Sequence, residues 1–364
     1  MRRALIFASL PLTLLLSGCS ITDFFGFGGQ KNVPPPPPVG VYKSTDRGEN
    51  WVTKNYVLPS TPNDRPTLGD KNALVLVIDP TDSRTLYLGS QGNGLYYSYD
   101  NAESWWASGP IRQGDINAVA VPNDAALRCT IYLASANRIL KTTDCGRFWD
   151  QQYYDTRLKE QVLTLAVNRE NPSIVYAGMT TGDVLRSSDA GKSWERVVSL
   201  KGKVTRIVPH ILKASTLYLT LEGRGLWKTE DSGTTWQDMS EGLNKFAGAM
   251  TIRDLAVDPT RPDTVIAVSS YGLVRTTDGG ATWSALSLLT PPSSANIFAV
   301  ALNPNNPSEL YYTTDTTLYR SSDAGETWET KTLPVSGVKS ILLIDPAVKT
   351  PTTLYLGVAR TGKK

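Results

Sequence analysis

Seven times along the chain an aspartate stands two residues after a serine or threonine and five before a tryptophan: "STDRGENW", "SYDNAESW", "TTDCGRFW", "SSDAGKSW", "TEDSGTTW", "TTDGGATW" and "SSDAGETW". A carboxylate among hydroxyls is material for acid–base or nucleophilic chemistry. Asp46, Asp100, Asp144, Asp189, Asp231, Asp278 and Asp323 are therefore the first residues to weigh. Their spacing speaks for another role. Successive gaps of 54, 44, 45, 42, 47 and 45 residues mark one repeating unit, of the length of a four-stranded propeller blade. The box suits a tight hairpin: the carboxylate accepts backbone N–H groups and hydroxyls, glycine permits a left-handed dihedral, and tryptophan packs on the sheet. These seven acids are expected to be scaffold, outside any catalysis. Eight of the nine tryptophans, all but Trp227, fall at a box, with Trp105 and Trp106 together in the second; sealing blade against blade is their expected task.

The remaining inventory is sparse. His210 in "VPHILK" is the one histidine and reads as a turn residue, offering neither a metal cluster nor a Ser/His/Asp set. No glycine-rich loop follows a strand and opens a helix, so no phosphate cradle is present. The expectation is no metal and no cofactor. A glycoside hydrolase needs two carboxylates at a set separation, and loop acids such as Asp155 and Glu160 cannot be paired across a cleft from their positions alone.

The elements that carry the boxes repeat as well. Upstream of each box lie two apolar strands, A and B, joined in the clearest cases by an Asp/Asn-Pro turn, as in "ALVLVIDPTDSRTLYLGS" and "IRDLAVDPTRPDTVIAVS"; the proline presets the backbone and stops any helix. A Gly-rich turn follows, then strand C into the box and strand D out of it. The A/B pairs begin near residues 73, 116, 162, 204, 252, 297 and 338. The order starts with a box and ends with an A/B pair, half a blade out of phase. Strands C and D from Val41 to about Thr53 should therefore complete the blade begun by Val338 to Val358, leaving no open sheet edge. The expected fold is all-β, a seven-bladed β-propeller of four-stranded antiparallel blades spanning 41–364, closed by N-terminal outer strands on C-terminal inner strands.

Residues 1–18 read as a processing signal: Arg2 and Arg3, an apolar run from Ala4 to Leu16, then "LSGC" ending at Cys19. This run resembles a bacterial lipoprotein signal, which implies cleavage before Cys19, its acylation, and a membrane anchor; Ser20 in place of an aspartate implies outer-membrane sorting in a Gram-negative cell, facing the periplasm or the surface. Residues 19–40 form a tether whose "VPPPPPV" is a stiff polyproline rod of about 15 Å. Once Cys19 is lipidated, Cys129 and Cys145 remain, placed about a turn near Asn137, and are expected to form a disulfide, the alternative being two free thiols. Loss of Arg2 and Arg3 leaves 35 of the 37 basic residues against 34 acids, and no basic run occurs, so nucleic acid is excluded as a partner.

The motif S/T-x-D-x-G-x-T/S-W between strands C and D resembles the Asp-box, or bacterial neuraminidase repeat, shared by sialidases, sortilin-type receptors, xyloglucan-active glycosidases and photosystem II assembly factors. Seven copies are specific for the fold and unspecific for the activity. The Arg-Ile-Pro signature of sialidases is absent, the nearest strings being "IRQ" at Ile111 and "DRP" at Asp64. "LAVDP" followed by "TTDGGATW" looks more like the xyloglucan-active branch, which implies a polysaccharide hydrolase, although that family typically builds its cleft between two propellers. Asn50, Ala102 and Phe148 depart from the motif, and looser turns are expected there.

In a propeller with this strand order the C–D turns lie on one face, and the B–C turns and D–A connections lie on the other. The second face carries the long connections 57–72, 150–161 and 237–250, and variable loops on a rigid scaffold are where recognition sits. Arg65, Arg112, Tyr153, Tyr154, Arg157, Arg224, Lys245, Phe246, Arg253 and Tyr271 are the candidate contacts. Arginines beside aromatics suit a protein or glycan interface. The expectation is a monomeric, lipid-anchored envelope protein that binds another envelope protein or a glycan without catalysis, one version being an assembly factor for a membrane complex; the rival is a xyloglucanase-like hydrolase.

Overall fold

Each repeat folds as one antiparallel sheet, and seven four-stranded sheets form the ring. The computed structural model describes residues 38–157, 159–210, 212–261, 263–336, 338–347 and 352–360. Residues 1–37, on which the expected signal, the expected lipidation at Cys19 and most of the expected tether fall, lie outside the described residues. Numbering the blades by their first strands, A is Ala73–Ile78, Ala118–Ala120, Val162–Val167, Val204–Pro209, Ile252–Val257, Ala299–Asn303 and Val338–Ile344. These starts lie within two residues of those read from the sequence.

Burial follows position in the blade. Strands B such as Leu86–Ser90, Val175–Met179, Leu217–Leu221 and Val265–Ser269 are buried at every residue, because neighbouring blades cover both of their faces, and they read as unbroken apolar runs. Each such leucine or valine contributes roughly 1.5–3 kcal/mol by leaving water. Outer strands D are as short as Val52–Thr53 and Ser284–Ala285, and exposed, which limits the edge they offer to other chains. In the A–B turns a buried polar side chain closes the corner: Asp258 Oδ1 accepts from the Thr260 and Arg261 N–H groups at 2.8 and 3.0 Å. His210 fills that place in blade 4, its Nδ1 accepting from the Leu212 and Lys213 N–H groups at 2.9 and 3.0 Å; it is a turn residue, only 1% exposed.

The ring closes as expected. Gly40–Ser44 pairs antiparallel with Leu354–Arg360, with Tyr42 opposite Leu356, and Val52–Thr53 adds the outer edge. A buried glutamate ties this seam. Glu309 of blade 6, 5% exposed, accepts from Asn303 Nδ2, Thr352 Oγ1, Tyr311 OH and Arg320 Nε at 2.6–2.9 Å, and Arg47 Nε stands 3.4 Å away. Thr352 comes from the C-terminal part of blade 7 and Arg47 from its N-terminal part, so one carboxylate holds both.

Each box is a corner with two left-handed residues in succession. Ala190 and Gly191 have φ of 59° and 92°; Ser187 Oγ donates to Asp189 Oδ1 at 2.8 Å and accepts from Gly191 N–H at 2.8 Å. Asp189 also accepts from Ser193, by N–H at 2.8 Å and Oγ–H at 2.6 Å. These donors hold the Asp189 carboxyl down at about 2. Two of the three divergent boxes keep the full set of bonds, and the third loses the side-chain donor to the aspartate that the residue before the tryptophan supplies elsewhere. Asn50 Nδ2 donates to Asp46 Oδ2 at 2.7 Å in place of a hydroxyl, and Ala102 accepts the glycine's conformation at φ 67° with its N–H on Ser98 Oγ at 3.0 Å. In the third box Asp144 keeps its backbone donors from Arg147 and Phe148, while the Phe148 ring is 77% exposed.

The boxes also latch blade to blade. The turn carbonyl after the aspartate accepts from the preceding blade: Ala190 O from Tyr132 OH at 3.0 Å and Lys141 Nζ at 2.7 Å, Ser232 O from Tyr176 OH at 3.0 Å, Ala324 O from Arg275 Nη1 at 2.9 Å. The tryptophans divide. Trp105, Trp283 and Trp328 are buried and donate back to Lys54, Met239 and Ser287 of the preceding blade. Trp149, Trp194 and Trp236 instead donate to their own box glycines, and Trp106 stands exposed on a D strand rather than sealing anything. Cys129 and Cys145 form a disulfide. The strands between them pair about a centre between Ala136 and Asn137, and the cysteines sit just past the strand ends, Cys145 in the left-handed position of its box.

Candidate functional site on the loop face

The B–C turns and D–A connections gather opposite the boxes and leave several hollows, three of which carry charged side chains. The first, about 540 Å³, lies between the connection leaving blade 1 and the B–C turn of blade 2; Arg112 and Arg138 line it, and its lining contains no acid. Arg138 rests over the Tyr154 ring at 5.5 Å, and Arg112 Nε donates to Gly109 O at 3.0 Å. Neither guanidinium has a carboxylate partner among the described residues. The second, about 640 Å³, lies between blades 3 and 4 and carries Lys201, Glu222, Arg224, Trp227 and Asp238. The third is the central channel, about 470 Å³, bounded by the innermost strands of all seven blades.

The candidates do not converge on one place. Tyr153 and Tyr154 were read as part of a connection, but Asp150–Tyr154 is strand D of blade 2 with a bulge between Gln151 and Tyr153; the outer strand runs further because its polar residues need no burial. Tyr153 donates to Asp155 Oδ2 at 3.1 Å and packs edge-on against Trp194. Arg157 is already committed, Nε and Nη2 reaching Asp155 at 2.9 and 2.6 Å and Nη2 reaching Asp183 at 3.1 Å. Arg65 bonds the carbonyls of Pro62 and Asp64 in its own exposed loop. Lys245 ends a short 3-10 helix, Glu241–Lys245, and the next residue, Phe246, packs on Tyr271 with ring centroids 5.2 Å apart. Arg224 lines the second hollow. Arg253 belongs to no loop: it lies on the innermost strand of blade 5 and faces the channel.

Sequence reasoning missed Arg138, Arg206 and Trp227. A usable signal existed for Arg206 and Arg253, since "VTRIVP" and "IRDLAV" place charges inside innermost strands that are otherwise apolar.

Four carboxylates of this face are engaged. Asp155 and Asp183 share Arg157, Glu160 accepts from Thr180 Oγ1 at 2.6 Å, and Glu222 pairs with Lys203 at 3.0 Å. The Arg157 guanidinium holds Asp155 at about 2, and hydrogen bonds from Ser199 and Arg157 overcome burial to lower Asp183. Every described carboxyl group with a displaced titration moves down, whereas a general acid needs one moved up. Among the described residues no three metal-ligating side chains cluster.

Three comparisons bear on this geometry. The family model for Sortilin-Vps10, described as sortilin, neurotensin receptor 3, matches residues 182–285. Xyloglucanase Xgh74A of Acetivibrio thermocellus is 28% identical over 274 residues, covering 67% of this chain and 28% of its own length. A xyloglucanase of Paenibacillus sp is 27% identical over 267 residues, covering 67% of this chain and 23% of its own. The chain thus spans under a third of these relatives. Among solved structures, a GH74 xyloglucanase from Xanthomonas campestris has a TM-score of 0.61 at 18% identity over 79% of this chain and 51% of that one. YCF48 from Cyanidioschyzon merolae has 0.60 at 12%, over 79% and 95%, and YCF48 bound to D1 peptide has 0.57 at 18%, over 81% and 98%. The chain is similar to both kinds. What the solved structures share with it is the fold.

Proposed function

We propose that this protein is a non-catalytic binding scaffold, held at the bacterial envelope by a lipid on Cys19, whose loop face receives an acidic segment of another envelope protein. One observation carries the reading: Arg112 and Arg138 line a groove without an acid, beside Tyr154, and neither is neutralised within the described residues. Unpaired arginines beside an aromatic ring are what an interface uses to anchor carboxylates. A propeller of the same fold holds a peptide, which supports peptide capture as a use of such a face; an assembly factor for a membrane complex is one form of it. The similarity to xyloglucanases favours a second reading, a polysaccharide hydrolase, which needs two free carboxylates.

The test is crosslinking of the intact protein in its own envelope, in parallel with incubation on a glycan panel. A protein captured by wild type and lost in Arg112→Glu with Arg138→Glu supports the scaffold. Sugar release from the panel, with capture unaffected by those changes, supports the hydrolase. Fatty-acid labelling that disappears in Cys19→Ala tests the anchor.

A further inference from the structure

The innermost strands bound the central channel, and two of the seven carry cations there. Arg206 of blade 4 and Arg253 of blade 5 line it together with Asp254. The carboxylate is consumed within the protein: Asp254 Oδ1 stands 3.0 Å from Arg206 Nη2 and accepts from Leu255 N–H, and Oδ2 accepts from Val300 N–H at 3.0 Å. Arg253 has only neutral partners, Ile297 O and Asn296 Oδ1, both at 3.3 Å, and no carboxylate pairs with it among the described residues. The stretches Leu74–Val77, Asn117–Val119, Leu163–Leu165 and Ile341–Leu343, with Val300, complete the wall and add no charge. Beyond it a smaller hollow of about 190 Å³ on the box side holds Arg169, again with no acid in its lining. The two hollows carry three guanidinium groups and one carboxylate, in a chain whose 37 basic residues nearly balance 34 acids. Burial pushes the Arg253 and Arg169 titrations down, the direction expected of a cation without its counter-charge.

We propose that the loop-face mouth of the channel is a carboxylate receptor with Arg253 as its principal ligand and Arg206 beside it. The class follows from the geometry. One uncompensated guanidinium offers a planar fork that matches one carboxylate, whereas a phosphate dianion would be left half-neutralised. Walls without further charge leave the field of Arg253 uncompensated for an entering anion. The occupant is an acidic side chain or the chain end of the segment bound on the loop face; in this respect the receptor rests on the binding function proposed above.

Ligand-observed NMR titration of the full protein with succinate, inorganic phosphate and uncharged propionamide tests it, in wild type, Arg253→Gln, Arg253→Lys and, as a control on the opposite face, Lys192→Gln in the exposed box turn. Succinate should bind wild type and Lys192→Gln alike and bind Arg253→Gln at least about tenfold more weakly, the loss of one charge-assisted pair; propionamide should not bind. Arg253→Lys, which keeps the charge and removes the fork, should fall between and controls for folding. Equal succinate affinity in all variants, no binding by wild type, or tighter Arg253-dependent binding of phosphate would overturn the receptor. Partner capture that depends on Arg112 and Arg138 but survives Arg253→Gln would remove the receptor and leave the scaffold function standing; succinate binding without any partner capture would do the reverse.

Discussion

Ala102 occupies a position where five of the other six boxes have a glycine flanked by a second left-handed residue, and the seventh, "TTDGGATW", has two glycines in succession. A left-handed alanine costs about 1–2 kcal/mol, part of which glycine would return as unfolded-chain entropy. Ala102→Gly should therefore stabilise the protein by about 0.5–1 kcal/mol, read as a higher denaturant midpoint at unchanged slope. The box acids make a second prediction. Asp189, Asp231 and Asp278 are held at about 2 against an ordinary 3.8, so on acidification the unfolded chain takes up protons before the folded one. Their stabilisation is complete above about pH 4 and is lost as pH falls towards 2, and melting temperatures between pH 5 and 2 should show the drop there. That the acids are structural was legible from their recurrence. That the residue after each aspartate is also left-handed was not, since Arg47, Asn101, Cys145, Ala190, Ser232 and Ala324 share no side-chain chemistry that would announce it.

At the scale of the element, the box is as much a joint between blades as a corner within one. Lys141 reaches Ala190 O across the interface and lies over the Tyr132 ring at 5.3 Å. A basic residue just before the box hydroxyl recurs at Lys43, Lys141, Arg186, Lys228, Arg275 and Arg320, with Tyr97 the exception. This regularity was visible in the sequence, but its purpose was not, because a contact between successive blades has no spacing within either. Lys141→Met should cost about 1–2 kcal/mol, the loss of a partly buried charge-assisted hydrogen bond and a cation–π contact, measured by equilibrium denaturation. Strand boundaries were read well where Pro and Gly punctuate them. They failed at Asp150–Tyr154, whose polar side chains carry no apolar period to follow.

For the whole molecule, phase and count of the repeats gave seven blades and the closure, since a half-blade at each end has only one completion. The clasp was hidden: Glu309 stands far in sequence from Arg47, and nothing local marks it. Removing its carboxylate leaves Arg320 and Arg47 without it, and Glu309→Ala should destabilise the ring by about 3 kcal/mol, seen as a lower midpoint with earlier hydrogen exchange in Gly40–Ser44 and Leu354–Arg360. The candidate site was legible only in part, because Arg112, Tyr154 and Arg253 come to separate hollows of one face, and which loops meet is decided by the ring. The ring has a face whose boxes hold it together and, opposite, the face proposed to recognise a partner. The most direct test of that division is crosslinked partner capture by Asp189→Ala and by Arg112→Glu with Arg138→Glu, each at a temperature where the variant is folded. The expected result is full capture by the destabilised Asp189→Ala protein and none by the fully stable arginine variant; lost capture in the first with retained capture in the second would contradict it.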